Sequence, residues 1–176
     1  MLHLLLADAE FTIRDVQRLA AVVVVVLLGT TPAVAHAAPT LRKFSYHGAG
    51  TNYVNLSTGE LRELWKGRAK PFGKITTHVA GWVQFPKPPA FMIRSSMVIV
   101  DPSGDVLIGA CSGTGILPLP HGHEKWTCQV TGGTGKFAHS RGSWTLHIDI
   151  HRIWIRKGVS HNRFTERATG HVSWMG

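Results

Sequence analysis

From residue 41 onward the chain alternates apolar and polar positions with a period of two, in short runs rather than the wider spacing of a helix. Ser143 to Ile155 shows this most clearly. Trp144, Leu146, Ile148 and Ile150 fall on one face, and Ser143, Thr145, His147, Asp149 and His151 on the other. An unpaired Asp149 turned into an apolar interior would cost several kcal/mol, so the apolar face is expected inside and the histidine face in water. The same reasoning predicts strands over Leu41 to His47, resuming at Thr51 to Leu56, then Leu61 to Arg68, Lys74 to Phe85, Phe91 to Val100 and Val106 to Ser112. Glu124 to Thr131, Ser143 to Ile155 and Arg163 to Trp174 complete the set.

Glycine, proline, aspartate and serine separate these runs. Ser57-Thr58-Gly59-Glu60 and Asp101-Pro102-Ser103-Gly104-Asp105 read as tight turns, with proline presetting φ and glycine supplying a positive one. Pro86, Pro88 and Pro89 forbid a hydrogen-bond ladder and predict a loop. Gly113 to Gly122, with Pro118 and Pro120, reads as another. Eight strands with short connections point to an all-β fold, an antiparallel up-and-down barrel whose closure removes exposed edges. An eight-stranded barrel is filled by side chains or holds one small ligand.

The first 37 residues change the picture. Arg14 and Arg18 precede an apolar run, Leu19 to Leu28, followed by Gly29-Thr30-Thr31-Pro32 and the small-residue patterns Ala33-Val34-Ala35 and Ala35-His36-Ala37. This is the layout of a secretory signal peptide with an A-x-A cleavage site. The run is about half the roughly 20 residues that a membrane span needs. Residues 1–37 are therefore expected to be a signal peptide, residues 38–176 a single barrel domain, and the protein to be secreted. Asp8, Glu10 and Asp15 are unusual ahead of such a core.

Removing the leader takes away two basic and three acidic residues, leaving 17 Lys+Arg against 7 Asp+Glu, near +10. That balance favours anionic surroundings, such as cell-envelope material. No basic cluster interleaved with aromatics resembles a nucleic-acid motif, so no nucleic-acid partner is expected. The two cysteines, Cys111 and Cys128, form an even pair in an oxidising compartment and read as one disulfide closing a loop of about 17 residues. With neither a C-x-x-C spacing nor a third cysteine, a thiol-redox or thiolate-metal site is not expected.

Between the sixth and seventh runs lies Val130-Thr131-Gly132-Gly133-Thr134-Gly135-Lys136-Phe137-Ala138-His139-Ser140-Arg141-Gly142. A phosphate cradle would feed a helix, whereas here a strand follows. Gly132, Gly133, Gly135, Phe137, Arg141 and Gly142 are read as a structural loop, with Phe137 plugging the barrel end. The pattern V-x-G-G-T-G-K-F-x-x-x-R-G resembles the signature of dirigent proteins, and allene oxide cyclases carry a similar glycine loop. Gly67 to Thr76 is similar to a segment of secreted bacterial relatives. The resemblance covers Leu41 to Trp174. It implies an eight-stranded barrel with a central cavity for a hydrophobic molecule, often as a trimer. It further implies either steering of a coupling reaction or cofactor-independent cyclisation by confinement. Dirigent proteins place acids in the cavity. Asp101 and Asp105 belong to a turn, and no other acid here aligns with a dirigent acid. At Phe44-Ser45-Tyr46-His47-Gly48, glycine stands where dirigents show aspartate.

Tyr46, Arg94 and Trp126 are the candidate ligand contacts. Trp126 shares a face with Cys128 and Val130, and Arg94 interrupts an apolar run where an inward arginine would need an anionic partner. His147, Asp149 and His151 have metal-like spacing but lack a clear further ligand and are read as a solvated polar face; His121 with His123 and Glu124 also suggests metal but sits beside a proline loop and is read as a flexible surface loop. No metal or cofactor is expected. The leading expectation is a non-catalytic barrel that binds or orients a small hydrophobic or aromatic ligand. A cyclase or isomerase on the same barrel and a basic envelope-interaction protein are the alternatives, and a catalytic residue is not assigned.

Overall fold

The computed structural model describes residues 40–87, 89–116 and 121–175. The expected signal peptide lies outside them. Eight strands run in chain order: β1 (Leu41–Asn55), β2 (Glu60–Lys70), β3 (Gly73–Lys87), β4 (Ala90–Val100), β5 (Val106–Ile116), β6 (His121–Gly133), β7 (Gly142–Arg156) and β8 (Val159–Ser173). Each pairs antiparallel with its neighbour, and β1 pairs with β8, which closes an up-and-down barrel. This is the all-β architecture expected from the sequence.

Five boundaries differ most from the sequence expectation. β1 is unbroken through Gly48 and Gly50, β3 runs through Pro86 to Lys87, where the ladder shifts register rather than ending, β5 continues through Gly113 and Gly115, β6 starts at His121 rather than Glu124, and β8 starts at Val159 rather than Arg163. The glycines looked like loop residues but serve packing. A Cβ on Gly48 would sit 2.5 Å from the Trp65 ring, one on Gly113 2.3 Å from Trp126, and one on Gly115 2.4 Å from Phe91. Glycine within a strand marks such close approach. Large rings thus fit a narrow lumen because the strand beside them carries no side chain.

The period of two decides what is inside. Trp144, Leu146, Ile148 and Ile150 are buried, while His147 and His151 are exposed and Asp149 is partly so. Cys111 and Cys128 are register partners on β5 and β6, point into the lumen and form the expected disulfide.

One end of the barrel is sealed. The β6–β7 connection holds a 3-10 turn, Gly135–Phe137, which buries Phe137. Phe72 packs edge-on to Phe137 and to Trp174, each at 4.9 Å between ring centres. Gly135 has φ +53, and a Cβ there would strike the Asp105 carboxylate. The glycine is needed for both reasons. Lys136 reaches from the same turn to Asp101 and Asp105 in the β4–β5 hairpin. Burial works against the Asp101 charge, yet Lys136 and Ser103 hold its carboxyl below the usual range. The tail is tied down as well, since Met175 N–H donates to the Lys136 carbonyl.

Candidate ligand site at the open mouth

The opposite end is where polar side chains enter the interior. On β2, Glu63 lies between inward Leu61 and Trp65. On β6, Glu124 precedes inward Trp126, and on β8, Glu166 lies between Phe164 and Ala168. All three carboxyls are buried, Glu166 most deeply. A charged carboxylate without a cation is expensive in such surroundings, so each group shifts toward its neutral form.

Glu63 is pushed up to about 8, by burial first and by nearby Glu124 second, against a hydrogen bond from Asn52. Glu124 is pushed up to about 7 by burial, against the hydrogen bond it accepts from Trp126. Glu166 is raised well above the usual carboxylate range by burial and then by Glu63. Burial and Glu166 together raise the Tyr46 phenol. The three glutamates therefore form one electrostatic group with Glu63 at its centre. Strands β2 and β6 stand on opposite sides of the eight-stranded ring.

Glu63 ends a hydrogen-bonded chain that crosses three strands. Ser160 Oγ donates to Asn162 Oδ1 (3.1 Å), Asn162 Nδ2 donates to Asn52 Oδ1 (2.7 Å), and Asn52 Nδ2 donates to Glu63 Oε1 (3.1 Å). The chain fixes which Glu63 oxygen accepts. Oε1 takes the amide proton, so the acid's own proton belongs on Oε2. Among the described residues Oε2 has no protein partner. Trp126 Nε1 donates to Glu124 Oε2 at 2.8 Å and fixes that carboxyl in the same way.

These groups border a cavity of about 40 Å³, lined by Asn52, Glu63, Glu124, Arg152 and Asn162 with an apolar rim that includes Phe85 and Phe91. Arg152 Nε is buried there without a partner. An enclosed space needs roughly 10–15 Å³ to hold one water, and a site that swallows a drug-sized ligand runs from about 300 Å³. The enclosed part of the lumen therefore fits a polar head group or a few waters. This is smaller than the cavity implied by the family resemblance, because Trp65, Trp126 and Trp144 fill the middle of the barrel.

The residues singled out from sequence fall in three different places. Trp126 touches the site through Glu124. Tyr46 is deep in the core, 5.0 Å from the Trp65 ring, with its hydroxyl donating to Met97 Sδ. Arg94 faces outward on β4 and is exposed, because the inward positions of that strand are Phe91, Ile93, Ser95, Met97 and Ile99. It therefore needs no lumenal anion. His121 and His151 are register partners on the outer wall, and His123 pairs with Asp149 beside them. The loop expected at His121 to Glu124 is the start of strand β6, whose alternation turns Glu124 inward with Trp126; Glu63 and Glu166, not among the residues expected from sequence, are inward by the same parity in β2 and β8.

No family model matches the chain, and no curated protein does. Among solved structures it is similar in fold to the pterocarpan synthase dirigent protein GePTS1, at 14% identity and a TM-score of 0.42, over 80% of this chain and 90% of that one.

Proposed function

We propose that this barrel is a secreted protein that takes the oxygen-bearing head of a small lipophilic or aromatic molecule into its open mouth. One observation carries the reading: Glu63 borders the cavity, and its buried Oε2 has no hydrogen-bond partner among the described residues, on an acid that burial pushes up to about 8. A stranded polar group costs stability, and a ligand oxygen accepting its proton recovers that cost. The head enters between Glu63 and Glu124, and the apolar body rests on the Phe85 and Phe91 rim. The leader and the disulfide support secretion. Exposed Trp82, Met92 and Ile116 on β3, β4 and β5 support the expected self-association.

Catalysis is a second reading, favoured by the pairing of acids pushed up to about 8 and about 7 across one cavity. Two buried carboxyls that both hold their protons to near neutrality can give or take a proton there. Such a site could isomerise or cyclise a carbonyl or epoxide without a cofactor.

The two readings share one test. An aryl alkyl ketone and the alkylbenzene of the same length are titrated into the full chain, following tryptophan fluorescence. The ketone is expected to bind about tenfold more tightly at pH 6.5, in line with one hydrogen bond. That advantage disappears at pH 9 and in Glu63→Leu. Equal binding of both compounds, or an advantage that survives Glu63→Leu, overturns the proposal. Turnover of an added substrate by the wild type and its loss in Glu124→Gln would mark the site as catalytic.

A further inference from the structure

The outer wall carries a second feature that the lumen does not explain. Strand register places Lys125 beside His147, His147 beside Arg167, Arg167 beside His47, His47 beside Arg68, and Arg68 beside Lys74. All six side chains are exposed. At the spacing of adjacent strands they form one arc about 24 Å along its path, which wraps more than halfway round the closed barrel across β6, β7, β8, β1, β2 and β3. The row contains no acid. In the row toward the open mouth, Asp149 is the acid, and His123 already holds it.

The neighbouring row on the sealed-end side has different chemistry. Thr127, Thr145, Thr169 and Ser45 follow one another in register and lead to Lys70. Four hydroxyls thus lie alongside four Lys and Arg side chains and two histidines, all on outward positions of regular strands. Neither row has a phenylalanine, tyrosine or tryptophan. Single-stranded nucleic acid is held by stacking on successive large rings, and two histidines set apart by Arg167 do not make such a platform. An anionic membrane would draw an apolar contact as well as charge, and these rows supply none.

We propose that this curved wall is a docking surface for a flexible anionic polysaccharide that winds partway round the barrel. Its carboxylates or sulfates would lie on the Lys125–Lys74 row, and its sugar hydroxyls on the threonine row. The two chemistries in parallel match a polymer that is both charged and polyhydroxylated. A bare polyanion would use only the first row. The surface is on the opposite side of the wall from the lumenal glutamates, so it works whether or not the mouth binds a small molecule.

The experiment measures binding of the full chain to polygalacturonate, neutral dextran, poly-glutamate and duplex DNA of matched length, at several salt concentrations. Polygalacturonate is expected to bind at least about tenfold more tightly than dextran or poly-glutamate, and to weaken as salt rises. Arg68→Glu with Arg167→Glu is expected to lower that affinity at least about tenfold. Thr127→Val with Thr169→Val removes the preference over poly-glutamate. Arg94→Glu, on the β4 wall, leaves binding within about twofold, and unchanged thermal unfolding shows that each variant is folded. The proposal is overturned if poly-glutamate or DNA binds as well as polygalacturonate. It is also overturned if Arg94→Glu matches the Arg68 and Arg167 reversal, or if that reversal changes only self-association.

Discussion

Of the seven acids that follow residue 37, three point into the lumen and four do not. The four outside have partners: Glu60 has Arg62, Asp149 has His123, and Asp101 and Asp105 share Lys136. Glu63, Glu124 and Glu166 have no ion-pair partner among the described residues. Meanwhile the outer wall from β6 round to β3 displays a row of basic side chains. One sheet thus separates two electrostatic environments about one residue thick. Outside the lumen, charge is ion-paired and for the most part hydrated. Inside, the same carboxyl chemistry survives by keeping its protons, and so it can donate hydrogen bonds.

The comparison can be broken first by pH. Glu63 and Glu124 hold their protons to about 8 and about 7 in the folded barrel, against about 4.3 in an unfolded chain. Between those values the unfolded state binds fewer protons, so stability falls as pH rises. The slope is about 1.4 kcal/mol per pH unit for each retained proton. Urea unfolding is expected to show several kcal/mol more stability at pH 5 than at pH 8.5; His161, whose proton affinity is lowered by burial and by Arg163, opposes this at the acid end of the range, and Asp101 acts only below it. A flat profile over that range would mean that the lumenal acids are solvated and ionised.

A smaller effect sharpens the inside half. Glu166→Leu removes a buried carboxyl that makes no hydrogen bond of normal geometry among the described residues and has the Tyr46 hydroxyl as a polar neighbour, while nearly keeping the volume. It is expected to stabilise the barrel by about 1–3 kcal/mol at pH 8, measured by urea midpoint. Destabilisation by that amount would show that Glu166 has a hydrogen-bonding role in the folded core. The smallest effect belongs outside. Arg167→Gln should shift stability by less than about 0.5 kcal/mol, because nothing buried depends on it. A larger loss would join the outer row to the core.

Much of this could be read in the sequence, and the failures have physical reasons. The period of two gave eight strands and the orientation of β7 because Asp149 could not be buried alone. It also marked the lumenal acids: Glu63 alternates with Leu61 and Trp65, and Glu166 with Phe164 and Ala168. A glutamate in an apolar alternation looks like a surface residue until a buried role is considered. Gly113 and Gly115 looked like loop residues because glycine weakens a strand, and only the partner strand reveals the ring that fills the gap. The Ser160–Asn162–Asn52–Glu63 chain was beyond reach, since it depends on the register of β8 against β1 and of β1 against β2. Two of its members lie ahead of where β8 was expected to begin. Arg94 was misplaced by its apolar company, although its own neighbours at Ile93 and Ser95 carry the inward parity.

The layer of Trp65, Trp126 and Trp144 below the mouth has a further consequence. It divides the barrel, so that nothing accommodated beside Glu63 and Glu124 has a through route to the end closed by Phe72, Phe137 and Trp174. On the proposed reading a bound molecule would arrive and depart by one doorway, and two molecules would have to take turns at it.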